Sequence, residues 1–317
     1  MSEQYLRYGG ANSQRSTGDI IPRFVDSWYA RATVRRPWEW QPALDPLAPD
    51  FLESLLPFNG DQEFKQSSDG TKASCLSAGW LIYNYKTIEI ETQIIIPACI
   101  DLMELSTSSR LSYDEVSALA ETITDEGFHT LISAELCRMT SSFRNLDVRV
   151  PDFDLTRRLK AYRLVNATRL FSLARLAFAT VSEIFISDYL SLLSGAQEIQ
   201  PLFRSAVTLH KADEVCHKRL FPRLIRGVIR DCNEEERKFF VKAIHDAVQS
   251  FSSRETRIWR DVLGQIYSAR PDCDGRKPPE CAEMEGEADF TGVSELLTDL
   301  GLSDNDSYRM SNSLVYA

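Results

Sequence analysis

The chain has 317 residues, 43% of them hydrophobic, enough to bury a large core, and its 46 acidic against 36 basic residues leave a net charge of −10 that argues against nucleic acid as a partner. Seven cysteines with no C-x-x-C pair argue against a disulfide framework or a zinc ribbon and read as reduced thiols of a cytoplasmic protein. No apolar signal core stands near the N-terminus, and the most apolar stretch, Ile94 to Met103, carries Pro97 and Asp101, so no membrane association is expected.

Residues 1–18 are polar and rich in Ser and Gly and read as a flexible N-terminus. Ile20, Ile21, Phe24, Val25 and Trp28 recur at helical intervals, which predicts a first amphipathic helix over 20–34. Pro37, Pro42, Pro46, Pro49 and Pro57 make the next stretch a connection. From Lys72 to Leu105 apolar residues run with few breakers, as in a long buried helix kinked at Pro97. Ser112 with Glu115 forms a capping box that starts a second long helix, ending near Arg144. A loop over 145–154 precedes a third helical region, Leu155 to Leu193, with a bend or break near Asn166. A fourth helix spans Gln200 to Asp231 with Pro201 in its first turn, and Asn233 with Glu236 caps a fifth that runs to Ala269. Beyond Pro271 the composition turns to Asp, Glu, Gly, Pro and Ser, so 271–317 is expected to be an acidic tail, mobile or loosely docked, containing one short amphipathic stretch, Val293 to Leu300. The expected organisation is therefore a single domain over 19–270 between two tails. Its class is all-α, a ferritin-like helical bundle with additional helices.

The strongest local signal is the run from His210 through Glu214 to His217. At about 100° per residue, offsets of 0, 4 and 7 fall at about 0°, 40° and −20°, so three metal-ligand side chains share one helical face. Glu126 and His129 repeat the Glu-x-x-His spacing on another long helix. Two such motifs supply one Glu and one His to each metal in ferritin-like carboxylate proteins, and each remaining helix then owes one further Glu. Glu91 and Glu183 meet that requirement, each inside an apolar stretch where an unpaired carboxylate is costly. Glu89 is a weaker rival to Glu91, because it projects to roughly the opposite side of the helix. The alternative reading makes the three histidines ordinary core or surface residues; two Glu-x-x-His sets in a chain with four histidines weigh against it. Four carboxylates balance two divalent ions, and imidazole with carboxylate and no thiolate suits iron, with manganese as the alternative.

The order Glu91, Glu126-x-x-His129, Glu183, His210-x-x-x-Glu214-x-x-His217 resembles the ligand set of the p-aminobenzoate N-oxygenase family of dinuclear iron enzymes, four Glu and three His. The stretch Asp26 to Val34 also resembles that family's opening helix, and the resemblance spans about residues 20 to 270. It implies that Glu126 and Glu214 bridge two Fe ions, with Glu91 and His129 on one and Glu183, His210 and His217 on the other. It implies too an enzyme that uses O2 and an external electron donor to oxidise a primary amine, an arylamine or amino acid, free or tethered to a carrier protein, in specialised-metabolite biosynthesis. The products would be hydroxylamine, nitroso or nitro compounds, and a homodimer is the expected assembly. Tyr83, Asn84 and Thr87, one to two turns before Glu91, are the candidate substrate-binding residues. Because the ligands activate O2 without choosing the target atom, a C–H hydroxylase or desaturase is the nearest alternative. A non-enzymatic iron-binding helical protein is the last.

Overall fold

The computed structural model describes residues 20–36, 43–105, 111–281 and 291–302. The expected N-terminal segment 1–18, Pro37, Pro42 and the end of the tail lie outside them. Among the described residues the regular structure is entirely helical. Helix α1 (Ile21–Arg31) is followed by a 3-10 turn (Thr33–Arg35), a second one (Glu53–Leu55) and the short α2 (Gln62–Lys65), which Asp61 caps. Helix α3 (Asp69–Ile90) begins three residues before the expected start, because the Ser68 hydroxyl accepts from the Thr71 N–H and caps it there.

The expected kink at Pro97 takes a specific form. A π-helical turn (Glu91–Ile95) joins α3 to α4 (Ile96–Leu105). Pro97 has no N–H to donate and its ring collides with the carbonyl four residues back in an α-helix, and the wider turn just upstream relieves both. Helix α5 (Tyr113–Arg144) starts at the Ser112/Glu115 capping box and ends at Asn145, whose φ of 47° is left-handed. Of the bend or break expected near Asn166, the structure has the break, between α6 (Asp154–Val165) and α7 (Thr168–Gly195). Helix α7 is apolar enough along its length to resemble a membrane span, and most of it is buried in the bundle. Helix α8 (Pro201–Asp231) follows.

One expectation fails. The fifth helix is two, α9 (Glu234–Phe251) and α10 (Thr256–Ala269), separated at Glu255, where φ is 53°. Glu255 is buried, pairs with Lys86 Nζ at 2.9 Å and accepts from the Asp154 N–H at 3.1 Å, so distant partners hold a conformation that glutamate rarely adopts. Of the two states expected for the tail beyond 270, mobile or docked, the described part is docked. Helix α11 (Thr291–Asp299) packs against α7 and sends Val293, Leu296 and Leu297 into the core, and Cys273 is buried as well. At Gly292 a Cβ would stand 3.2 Å from Ile184 Cγ2, which shows how closely α11 approaches.

The core forms two apolar clusters. One takes the first part of α3 (Cys75 to Tyr83), the second part of α5 (Ile132, Leu136), the end of α7 (Leu190, Leu193) and the start of α8 (Leu202 to Val207). The other takes the π turn and α4, the start of α5 (Ala118, Leu119), the first part of α7 and the end of α8 (Leu220 to Ile229). Helices α3 and α8 therefore run one way and α5 and α7 the other, with α6 in the long crossover between α5 and α7. A four-helix bundle with one long crossover is the ferritin-like arrangement.

Candidate metal centre

The middle of these four helices, between the two clusters, is polar. All seven predicted ligands converge there, and none is more than 6% exposed. Glu91, Glu126, His129, His210 and Glu214 offer ligand atoms within 4.8 Å of one another, and so do Glu126, Glu183, Glu214 and His217. Glu126 and Glu214 belong to both groups, as the resemblance implied for bridging carboxylates. His210 does not follow the implied partition: it sits with Glu91 and His129, its ring centroid 4.0 Å from that of His129, and not with Glu183 and His217. The cause is helix direction. Because α5 and α8 are antiparallel, residues before Glu214 meet residues after Glu126, so His210 lands at the His129 end and His217 at the other.

Each Glu-x-x-His histidine turns Nδ1 inward. His129 Nδ1 lies 2.8 Å from Glu126 Oε2 and 3.5 Å from Glu214 Oε1, and His217 Nδ1 lies 2.8 Å from Glu126 Oε1 and 3.5 Å from Glu214 Oε1. His210 instead presents Nε2, 3.0 Å from Glu214 Oε1 and 3.8 Å from Glu91 Oε1. The outward Nε2 atoms of the first two meet carboxylates that the sequence reading passed over. Asp213 Oδ2 stands 3.3 Å from His129 Nε2, and Asp125 Oδ2 stands 3.4 Å from His217 Nε2, so each helix's aspartate holds the other helix's histidine. The signal was present: both motifs read Asp-Glu-x-x-His, at 125–129 and 213–217.

The segment at the start of the chain locks these aspartates. The Trp28 indole donates to both Asp125 oxygens at 3.0 and 3.1 Å, the Thr33 amide and hydroxyl donate to Asp213, and Arg31 Nη1 lies 3.8 Å from Asp125 and 3.7 Å from Asp213. Trp28 and Arg31 lie one turn apart on α1, and Thr33 begins the next turn. Glu89 faces elsewhere, accepting from the Thr156 hydroxyl.

Seven buried ionisable groups this close distort one another. Burial pushes the Glu91 and Glu183 carboxyls well up, and the neighbouring Glu126 and Glu214 charges add to it. Burial and Glu214 also push Glu126 up, but the His217 and His129 imidazoliums outweigh them and hold it at about 2. Burial opposes the charge on His129, yet Glu126, Asp213 and Glu214 raise it to about 10. Burial and His129 push His210 down.

The residues fit a pair of cations. Both Glu183 oxygens, Glu126 Oε1, Glu214 Oε2 and His217 Nδ1 are buried with no hydrogen-bond partner. Orphaned lone pairs of this kind are costly unless something positive receives them. His217 Nδ1 and Glu126 Oε1 approach to 2.8 Å without hydrogen-bond alignment, as two donors to one ion stand.

A narrow cleft opens beside the His129 and His210 end. Trp80, Tyr83 and Asn84 from α3, Ile132, Ser133 and Leu136 from α5, and Ala206 and Val207 from α8 line it. Its free volume is about 10 Å³ for the centre of a water molecule, so a substrate ring enters only as these side chains part. Two of the three predicted substrate residues are here. Thr87 is not among the lining; it donates to the Tyr83 carbonyl at 3.2 Å, one turn back in its own helix. Five of the missed residues had a readable position, three, four or seven residues from a ligand: Ile132, Ser133 and Leu136 after His129, Ala206 and Val207 before His210; the sixth, Trp80, stands eleven residues before Glu91, three turns back on the same helix.

A bundle with one long crossover, carrying four buried carboxylates and three imidazoles at its centre and a cleft at one end, defines the class of ferritin-like carboxylate-bridged metalloproteins. Residues 14–301 match the model of the family described as P-aminobenzoate N-oxygenase AurF. The chain belongs to that family and is an oxygenase. A curated relative, the 4-aminobenzoate N-oxygenase of Streptomyces thioluteus, is 25% identical over 294 residues, which cover 90% of this chain and 87% of the relative. The match includes α11, so the similarity extends past residue 270.

Proposed function

We propose that the protein is a di-iron arylamine N-oxygenase whose metal ligands are Glu91, Glu126, His129, Glu183, His210, Glu214 and His217. The observation that carries the reading is the set of buried, partnerless carboxylate and imidazole lone pairs in two overlapping groups. Glu91, His129 and His210 would hold one ion, Glu183 and His217 the other, and Glu126 and Glu214 both.

Iron bound there supplies the reduction of O2 and the delivery of one oxygen atom. In balance, R–NH2, O2, two electrons from an external donor and two protons give R–NHOH and water. The chain's residues orient and insulate. Asp213 and Asp125 fix the imidazole planes of His129 and His217, and α1 fixes the aspartates. The apolar clusters on either side keep bulk water from the centre, so reducing equivalents are not lost to solvent. The cleft brings the amine to the His129 and His210 end, and neither Glu183 nor His217 lines it.

Metal analysis tests the centre. Protein reconstituted with ferrous iron should hold about two irons per chain, and with a chemical reductant and O2 should convert arylamines to N-oxygenated products carrying label from 18O2. A protein that binds manganese in preference, or that oxidises carbon in place of nitrogen, would refute the reading.

A further inference from the structure

We infer that the amine taken at this cleft is uncharged at its far end, an arylamine whose ring bears a neutral hydrogen-bond acceptor such as an amide or ester carbonyl. The inference rests on the proposed function and adds the substrate's chemical class to it. It starts from a buried donor. Trp80 lines the cleft, is fully buried, and its indole N–H has no hydrogen-bond partner. A donor in that state calls for an acceptor, and the substrate is what the cleft admits.

The charge of that acceptor follows from the rest of the lining. Apart from the imidazoles of His129 and His210, no basic side chain borders the cleft among the described residues. Lys86, the cation nearest in sequence on α3, is occupied elsewhere. Its ammonium pairs with Glu255 at 2.9 Å, reaches the Phe251 carbonyl at 3.4 Å and lies 5.4 Å from the Phe251 ring centroid. Arg31 is held between Asp125 and Asp213. The Asn84 amide nitrogen gives one of its two hydrogens to the Trp80 carbonyl at 2.8 Å, so that side chain has one N–H and its oxygen left to offer, both uncharged. A carboxylate placed here would meet no ammonium or guanidinium group, and the charge that two ferrous ions would bring is already balanced by the four Glu ligands. A carbonyl would meet the Trp80 N–H and the Ser133 hydroxyl with no charge to balance. The walls favour an aryl ring: Trp80 stacks on Phe203 at 4.2 Å, and Tyr83 stacks on Tyr189 at 5.6 Å, giving the cleft flat, supported faces.

The test compares 4-aminobenzoate, 4-aminobenzamide, methyl 4-aminobenzoate and unsubstituted aniline on the iron-loaded full chain, by calorimetric binding and by kcat/KM with O2 and a chemical reductant. The amide and ester should exceed the carboxylate by about tenfold or more in both measures. Trp80→Phe keeps the ring and removes the N–H, and should shrink the amide-to-aniline ratio about fivefold or more. Val207→Lys, which places a cation in the cleft, should move the ranking toward the carboxylate. Equal or tighter binding of 4-aminobenzoate by the wild-type chain overturns the inference, and so does a Trp80→Phe variant that weakens every ligand alike. Aniline separates the two readings. If it is oxidised while the carboxylate ranks first, only this inference fails. If none of the four is oxidised, the N-oxygenase reading fails and the calorimetric ranking still decides this one.

Discussion

The two ligand groups share Glu126 and Glu214 but differ in everything else. The Glu91 group has two imidazoles, lies where α3 widens into a π turn, and borders the cleft lined by Trp80, Tyr83 and Asn84. The Glu183 group has one imidazole, neither Glu183 nor His217 lines that cleft, and the helix that carries Glu183 also carries Leu173, Leu176, Ala177 and Phe178, each fully buried in an apolar cluster. One end of the centre is therefore built for access and the other for support. The unequal imidazole count comes from a single histidine one turn before Glu214 on an antiparallel helix, which reaches only the cleft end.

The largest effects should come from the carboxylates common to both groups. Glu214→Ala should reduce bound iron from about two per chain to near zero, measured by metal analysis, while Glu89→Ala, on a side chain that faces Thr156, leaves it unchanged. The two ends then separate. His217→Ala removes the sole imidazole of the Glu183 group and should lose that ion, leaving about one iron per chain. His210→Ala leaves His129 in its group, so it should keep about two irons with an altered absorption spectrum. Equal losses in the two variants would break the asymmetry.

Next in size are changes in packing. Leu176→Ala in the dry cluster should cost about 2–5 kcal/mol in denaturant unfolding, because a fully enclosed side chain leaves a cavity that its neighbours cannot fill. Val207→Ala, which widens a cleft that already exists, should cost about 1–2 kcal/mol. Similar costs at both would mean that the cleft end is packed as tightly as the other. Smaller still is the effect of the aspartates. Asp213→Asn should weaken iron binding about 10–100-fold in a chelator competition, through His129, and Asp125→Asn should do the same through His217.

What could be read from the sequence divides by range. The Ser112/Glu115 box, the Asn233/Glu236 box and the 0, 4, 7 spacing at His210, Glu214 and His217 are local, and each stands where it was expected. Spacing put His210 on the right face but could not say which end of the centre it joins, since that depends on two helices running antiparallel. Asp125 and Asp213 were visible as a repeated Asp-Glu-x-x-His, yet their role is a contact across helices 84 to 92 residues apart. The break before Glu255 is held by Lys86 and Asp154, far away in the chain, and its local mark is only the pair Ser252-Ser253, where the Ser253 hydroxyl accepts from the Glu255 N–H at 3.1 Å. In the tail, acidic composition and the spacing of Val293, Leu296 and Leu297 pointed opposite ways. That spacing was the better guide, because three apolar side chains on one face suffice to dock a short helix on α7.

The smallest prediction concerns α5 one turn before Asp125. Glu121 is half-buried, one of its oxygens has no hydrogen-bond partner, and its carboxyl is pushed up to about 7, chiefly by burial, with Arg31 opposing and Asp125, Asp114 and Asp26 adding. The folded chain therefore keeps this proton where the unfolded chain, near 4.5, has lost it. Below pH 4.5 the site contributes no pH dependence; from there to about pH 7 each rise in pH favours the unfolded state, and above 7 the loss is complete. Glu121→Gln removes the effect. The variant should gain on wild type by about 2 °C or less in Tm between pH 5 and pH 8, a small figure because solvent screens a half-exposed group. Parallel pH profiles for the two proteins would show that Glu121 carries no strain, leaving the metal centre itself as the place where this part of α5 stores charge.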